Sequence, residues 1–203
     1  DVMVDSPTNN FATLNPLDKL TNISLSEGNL VASTTAASLN KQVKGNFAIP
    51  QNSKTYFEVL IGGTAQGWVG IGDSAAPMTG DGGSSFGFNE GGSKFINGVS
   101  TGGYYSGFSA GNIIGIAVDR VNNTLQFYKN GTVESVSALS ISSTLDYFFY
   151  SEMYNAVWTL NFGQDSSFAG AKTAQGNQDS GGVGDFYYTP PTGYLALCTS
   201  NLP

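Results

Sequence analysis

The chain has 203 residues, with 8 basic and 15 acidic side chains, one Cys, no His and a formal net charge of −7. The absence of His removes the Ser-His-Asp and Cys-His catalytic arrangements and His-based zinc sites. A lone Cys closes no intrachain disulfide. The acidic balance, with Arg120 the single arginine, excludes a protein built to bind nucleic-acid phosphates.

In chain order, residues 1–12 read as a linker and residues 13–203 as one domain, a normal size for a single β unit. DVMVDSPTNN has neither the basic start nor the apolar run of a signal peptide. The chain begins at Asp1 rather than Met, so it is expected to be a piece of a longer polypeptide. The apolar runs are short, β-branched or aromatic, and bounded by Gly, Asn, Ser or Pro, which is the all-β pattern. Strands are predicted over Asn29–Ser33, Val43–Ile49, Tyr56–Ile61, Trp68–Gly72, Ser85–Asn89 and Lys94–Ile96. Further strands follow over Ile113–Asp119, Thr124–Lys129, Tyr147–Tyr154, Val157–Phe162 and Tyr194–Cys198. Turns are placed at Asn97-Gly98, at Asp119–Thr124, and at Asn130-Gly131 leading into Thr132–Val136; Asn-Gly suits a hairpin because both central residues need positive φ. The glycine-rich segment 62–107 reads as short strands joined by long loops, and Gln164–Asp185 as a second loop-like stretch. Loops of that length are often functional.

Several motifs reduce to structure. Gly107–Gly111 matches G-x-S-x-G, but a nucleophile elbow needs a helix after the Ser and a His base; here a strand follows, so the glycines are expected to turn the chain into Ile113. Ser38–Lys41 matches S-x-x-K without the companion motifs of Lys-activated serine enzymes. Glu58 and Glu152 are the acids set in the middle of apolar strands, and a glycan hydrolase would use such a pair. Each reads equally as the outward residue of its strand or as a buried acid satisfied by neighbours. Asp81–Glu90 and Asp179–Asp185 put carboxylates in glycine-rich loops where Ca²⁺ could find oxygen ligands, but neither has the alternation of an EF-hand loop. No metal and no cofactor are expected. Tyr104 and Tyr105 lie in a Gly/Ser loop, where Tyr offers rigid contact area with a polar tip; Tyr105 is expected to fold back over the core. Cys198 is expected to be inert core.

The strand set and its punctuation resemble a SPRY domain. The matching residues are Trp68-Val69-Gly70-Ile71-Gly72, then Gly111–Asp119 (GNIIGIAVD), Leu125–Gly131 (LQFYKNG) and Asn161-Phe162-Gly163, in the family's order over roughly residues 28–163. Asn112 stands where the family usually has Asp. The flanks Asn10–Leu17, Tyr187–Tyr194 and Leu197–Pro203 resemble SPRY-containing proteins of bacteriophages, in which the module sits inside long virion or tail-associated chains. The resemblance implies an all-β fold, a bent antiparallel β-sandwich of concanavalin-like jelly-roll type. It also implies a non-enzymatic binding or structural module whose ligand surface is built from loops at one end.

From loop position and chemistry, Gln66, Asp81, Tyr104 and Asp185 are expected near that end. The expected ligand is a protein or a host-surface molecule. Carbohydrate attachment is the alternative, because a neutral Asn/Gly/Tyr surface suits glycans, and a glycan hydrolase stands behind it. Neither nucleic-acid binding nor membrane insertion is expected. The expected location is the virion, facing outward, and the neutral surface is compatible with a homo-oligomer.

Overall fold

Two long strands organise the molecule. The computed structural model describes residues 9–35, 41–76, 84–134 and 137–203. Ser38, Asp81, the start of the Asp81–Glu90 loop and the end of the Thr132–Val136 strand lie outside the described residues. The strands are β1 (Leu14–Lys19), β2 (Ser24–Ser26), β3 (Val31–Ser33), β4 (Lys41–Gly45), β5 (Lys54–Asp73), β6 (Ser85–Asn89) and β7 (Lys94–Ile96). They continue with β8 (Val99–Thr101), β9 (Ile113–Asp119), β10 (Thr124–Lys129), β11 (Thr132–Val133), β12 (Leu139–Ser140) and β13 (Tyr147–Asn161). A short 3₁₀ turn, Thr199–Asn201, is the only helical element among the described residues.

β5 and β13 run antiparallel along their length, from Tyr147 opposite Asp73 to Asn161 opposite Glu58. The predicted strands Tyr56–Ile61 and Trp68–Gly72 are thus two halves of one bent strand, and so are Tyr147–Tyr154 and Val157–Phe162. The break lies where polar and glycine residues interrupt the apolar pattern. Gly63 and Ala65 have positive φ on one strand and Asn155 on the other, with a register shift between Tyr154 and Ala156. At Gly63 a Cβ would sit 2.9 Å from Ala156 Cα, so the two bent strands approach as only glycine allows.

The bend divides one hydrogen-bonded network into two layers. In layer one, β9 pairs with Lys54–Leu60 of β5, and β3 with Val157–Thr159 of β13. β10 and β2 extend it outward. In layer two, β6 pairs with Trp68–Gly72 and β4 with Tyr150–Met153, flanked by β7, β8 and β1. Alternation then does the rest: Phe57, Val59, Ile114, Ile116 and Phe127 of layer one face Val69, Ile71, Phe88 and Phe149 of layer two in one apolar cluster. Phe57 and Phe149 meet edge to face across it, 6.0 Å between centroids. The expected antiparallel β-sandwich is what forms.

The turns follow their sequence signals. Asn97 and Asn130 take φ of 51° and 50°, each before a glycine of positive φ, in two-residue hairpins. Asp119 closes the third turn by accepting from the Val121 and Asn122 N–H groups, both at 2.9 Å. Asn112 fills the role of the family's Asp, since its amide oxygen accepts from the Ser109 N–H at 2.9 Å. The G-x-S-x-G segment is a turn into β9, as expected.

Two readings are corrected. Residues 9–12 do not trail as a linker: Phe11 is buried and bridges Cys198, and Ala12 donates to the Leu197 carbonyl at 2.9 Å. Tyr194–Cys198 is not a strand. Leu195 makes one parallel bridge to Thr55, occupying the space beside β5 that β13 leaves beyond Glu58. The segment Gln164–Asp185, read as loop, forms with residues 186–203 a strap across the outer face of layer one. The strap seats Phe186 against Tyr56, Ala117 and Cys198, and Phe168 against Leu60 and Ile113.

Candidate functional site

The bend gathers most of the remaining loops. Gly67 donates its N–H to Glu90 Oε2 at 3.1 Å, and Phe108 donates to the Glu90 carbonyl at 3.2 Å. Tyr104 and Tyr105 both donate backbone N–H to the Gly92 carbonyl, at 3.0 and 2.8 Å. Lys129 clamps the 106–107 turn through Ser106 Oγ and the Gly107 carbonyl, and Glu134 accepts from the Ser106 N–H at 2.7 Å. Segments 62–67, 89–93, 103–112 and 129–134 are therefore tied to one another at one end of the sandwich. Local hydrogen bonds and buried Tyr105 and Phe108 hold them there.

Beside this end, on the outer face of layer two, lies a groove of about 530 Å³ lined by Gln66, Gly67, Trp68, Asn89, Glu90, Phe95, Glu152 and Tyr154. The sheet register explains its composition. Asn89, Trp68, Glu152 and Gln42 form one cross-strand row, and Gln66 and Tyr154 the next row toward the bend. These residues alternate with core-facing Val69 and Met153, so they face outward. Trp68 can lie flat because its neighbour is Gly87: a Cβ there would come within 2.5 Å of the indole. The indole stacks on Phe95 (6.0 Å, 19° between planes) and meets the Tyr150 edge at 4.9 Å.

The groove carries donors as well as acceptors. Asn89 Oδ1 accepts from the Ser93 N–H at 2.8 Å, which leaves its amide nitrogen to donate. Trp68 is 4 % exposed and its indole N–H has no hydrogen-bond partner. Glu152, also buried, accepts from Gln42 Nε2 at 3.2 Å. No Lys or Arg lines this groove.

The predicted site residues separate. Gln66 is exposed and lines the groove. Tyr104 stands at the same end but outside it, its ring covered by Lys94 Nζ at 3.8 Å and packed edge-on against Tyr105. Tyr105 folds back onto Phe88 and Phe127, as expected. Asp81 lies outside the described residues. Asp185 is not brought together with these residues. It sits in the strap, its N–H donating to the Gly163 carbonyl and its own carbonyl accepting from Asn161 Nδ2, both at 2.8 Å. Trp68, Asn89, Phe95 and Tyr154 were not singled out as site residues by the sequence, and Glu90 only as a carboxylate that Ca²⁺ could find. The signal that could have found them is Gly70, Gly72 and Gly87 alternating with core residues, which marks an outer face flat enough for aromatic rings.

The acid pair does not converge. Glu58 points away from the core of layer one and Glu152 away from that of layer two, so the sandwich lies between them. Glu58 is fully buried beneath the strap. Its carboxylate accepts from the Tyr187 and Tyr188 N–H groups (2.9 Å each), from Asn161 Nδ2 and from the Tyr56 hydroxyl (3.3 Å each). Burial outweighs these donors and pushes its pKa up to about 7. Asp179, read as a solvated loop residue, is likewise buried. It accepts from the Gly181, Val183 and Ala196 N–H groups at 3.0, 2.9 and 2.7 Å and from Asn201 Nδ2 at 3.0 Å. Although burial opposes it, this set of donors holds the Asp179 carboxyl below the usual range. Its oxygens are committed to the strap. Among the described residues no cluster of three His, Cys, Asp or Glu side chains could hold a metal ion.

Comparison with known proteins agrees with this architecture. The SPRY domain family model matches residues 54–165, more than half of the chain. Among solved structures, the TRIM65 PSpry domain is similar at 17 % identity and TM-score 0.59, over 74 % of this chain and 92 % of that one. The SPRY domain of human HERC1 is similar at 14 % identity and TM-score 0.58, over 72 % of this chain and 96 % of that one. Stonustoxin is similar at 18 % identity and TM-score 0.59, over 74 % of this chain and 27 % of its own. No curated protein matches the chain.

Proposed function

The chain belongs to the SPRY family, whose members are generally protein-interaction modules, and from that premise we propose that it is a non-enzymatic recognition module that binds at the bend end. The observation that carries this reading is the convergence of four loop segments on the bend, tied together over a rigid core beside a polar groove. Gln66 and Tyr104 mark this surface, and Asp81 belongs to it by the same loop argument. Asp185 does not, because it sits in the strap with its carbonyl engaged by Asn161 on the outer face of layer one. A charge-poor surface would bind by shape and neutral hydrogen bonds, so affinity should change little between low and moderate salt.

The place of the module is read from its flanks. Asn10–Leu17, Tyr187–Tyr194 and Leu197–Pro203, which resemble phage virion proteins, are built into the fold through Phe11 and Leu14, through the Tyr187 and Tyr188 N–H groups on Glu58, and through Leu197. The reading is a virion component of a phage, facing outward, with a protein or host-surface ligand. An antibody raised against the domain should decorate intact particles; staining of disrupted particles alone would remove the outward-facing assignment. For the binding end, Gln66→Ala/Tyr104→Ala should weaken capture of the ligand from host extract at least tenfold while Asp185→Ala leaves it unchanged. The reverse pattern would move the site to the strap.

A further inference from the structure

The groove on the outer face of layer two can be read for ligand chemistry, and we propose that it is a subsite for a neutral saccharide. This rests on the reading of the bend end as a binding surface and names what one part of it takes. The groove offers hydrogen-bond partners of both kinds. Glu90 and Glu152 accept, whereas Asn89 Nδ2 donates. A ligand that satisfies this set must both donate and accept. Lysine and arginine side chains only donate, and would leave the Asn89 donor unmatched. A phosphate or an acidic sugar only accepts at its charged group; it would face two carboxylates, with no cation in the lining. A sugar hydroxyl does both, and paired vicinal hydroxyls fit a carboxylate. The C–H face of a sugar ring suits the half-buried rings of Phe95 and Tyr154. The volume of about 530 Å³ accommodates one to two sugar rings.

Three features make the site built rather than incidental. Trp68 and Phe95 are stacked, and the glycine at position 87 permits it. Glu90 is held by the Gly67 N–H, and Glu152 by Gln42. Asn89 is oriented by the Ser93 N–H. The donors and acceptors are therefore positioned before any ligand arrives, which lowers the ordering cost of binding.

The test titrates the protein with lactose, maltotriose and chitotriose in EDTA, with sialyllactose and a tetra-arginine peptide as controls. Saturation-transfer NMR and tryptophan fluorescence report binding. At least one neutral saccharide should bind and perturb the fluorescence, and Asn89→Ala and Glu90→Gln should each lower its affinity at least tenfold with a melting temperature lowered by no more than about 4 °C. Repeating the titration without EDTA should change nothing. Binding by none of the neutral saccharides, or tighter binding of tetra-arginine than of any saccharide, would overturn the proposal. Ligand capture from host extract by the same preparations separates the two readings. Capture that survives Asn89→Ala but fails in Gln66→Ala/Tyr104→Ala keeps the bend end and removes the sugar. Capture indifferent to all these substitutions removes the bend end as well.

Discussion

The two glycine-rich stretches, 62–107 and 164–185, look alike in sequence and do opposite things. The first builds the bend and lays open a groove around Trp68 and Phe95. The second closes a face. Residues 164–203 cover layer one with Phe168 and Phe186 beneath them, and short polar side chains do the fastening. Ser166 Oγ accepts from the Gln175 and Gly176 N–H groups, Asp165 from those of Ser167 and Ala169, and Asp179 and Glu58 as already described. A polar segment is therefore not necessarily a solvated one. Where backbone donors outnumber sheet partners, buried carboxylates and hydroxyls can take up the surplus.

The largest effect expected from breaking this contrast is at Glu58. Glu58→Ala leaves two adjacent strap N–H groups and the Tyr56 hydroxyl without their acceptor, while Asn161 Nδ2 keeps the Asp185 carbonyl. It should cost at least about 3 kcal/mol in urea unfolding, since each of the three buried groups left unpaired carries roughly 1–3 kcal/mol. It should also open residues 164–203 to protease. Glu58→Gln keeps an acceptor and should cost about 1 kcal/mol.

The pH dependence of the same residue is next. Its carboxyl is raised to about 7 in the fold, against about 4.3 in an unfolded chain, so the folded state holds the extra proton between those values. The contribution is fully present below about 4.3 and is lost as pH rises through 7, a change on the order of 4 kcal/mol at about 1.4 kcal/mol per pH unit. Tyr56 accommodates either form, because its hydroxyl can donate to the carboxylate or accept from the acid. Asp179 runs the other way. Its carboxyl is lowered, so its contribution is present above about 3.9 and fades in stronger acid. Unfolding curves of the wild type and Glu58→Gln from pH 4 to 8 should converge in shape only if Glu58 is not the source of the slope.

The effects on stability in the groove run from intermediate to the smallest. Gly87→Ala pushes a methyl into the Trp68 ring and should cost about 1–3 kcal/mol as overpacking, with a changed tryptophan emission. Asn89→Ala removes a partly exposed side chain and the acceptor of the Ser93 N–H, and should cost about 0.5–1 kcal/mol while acting chiefly on binding.

Much of the fold was legible because β alternation and Asn-Gly turns are local signals. The strands that line the core, the three hairpins and the inward turn of Tyr105 all follow from them. What was not legible depended on which face the chain would cover. Nothing local in Gln164–Asp185 says that Glu58, more than a hundred residues earlier, will accept from Tyr187 and Tyr188. The burial of Phe11 against Cys198 is invisible for the same reason. The groove is intermediate. Its rows come from the register of β4, β5, β6 and β13, yet the glycines opposite its aromatic residues were present in the sequence to be read.

Amide hydrogen exchange tests the contrast between the two regions most directly. The account predicts that the N–H groups of Val183, Tyr187, Tyr188 and Ala196 exchange only through global unfolding, as slowly as those of β9, while Gly102 and Gly103 at the bend end exchange orders of magnitude faster. Strap amides that exchange as fast as Gly102 and Gly103 would contradict it.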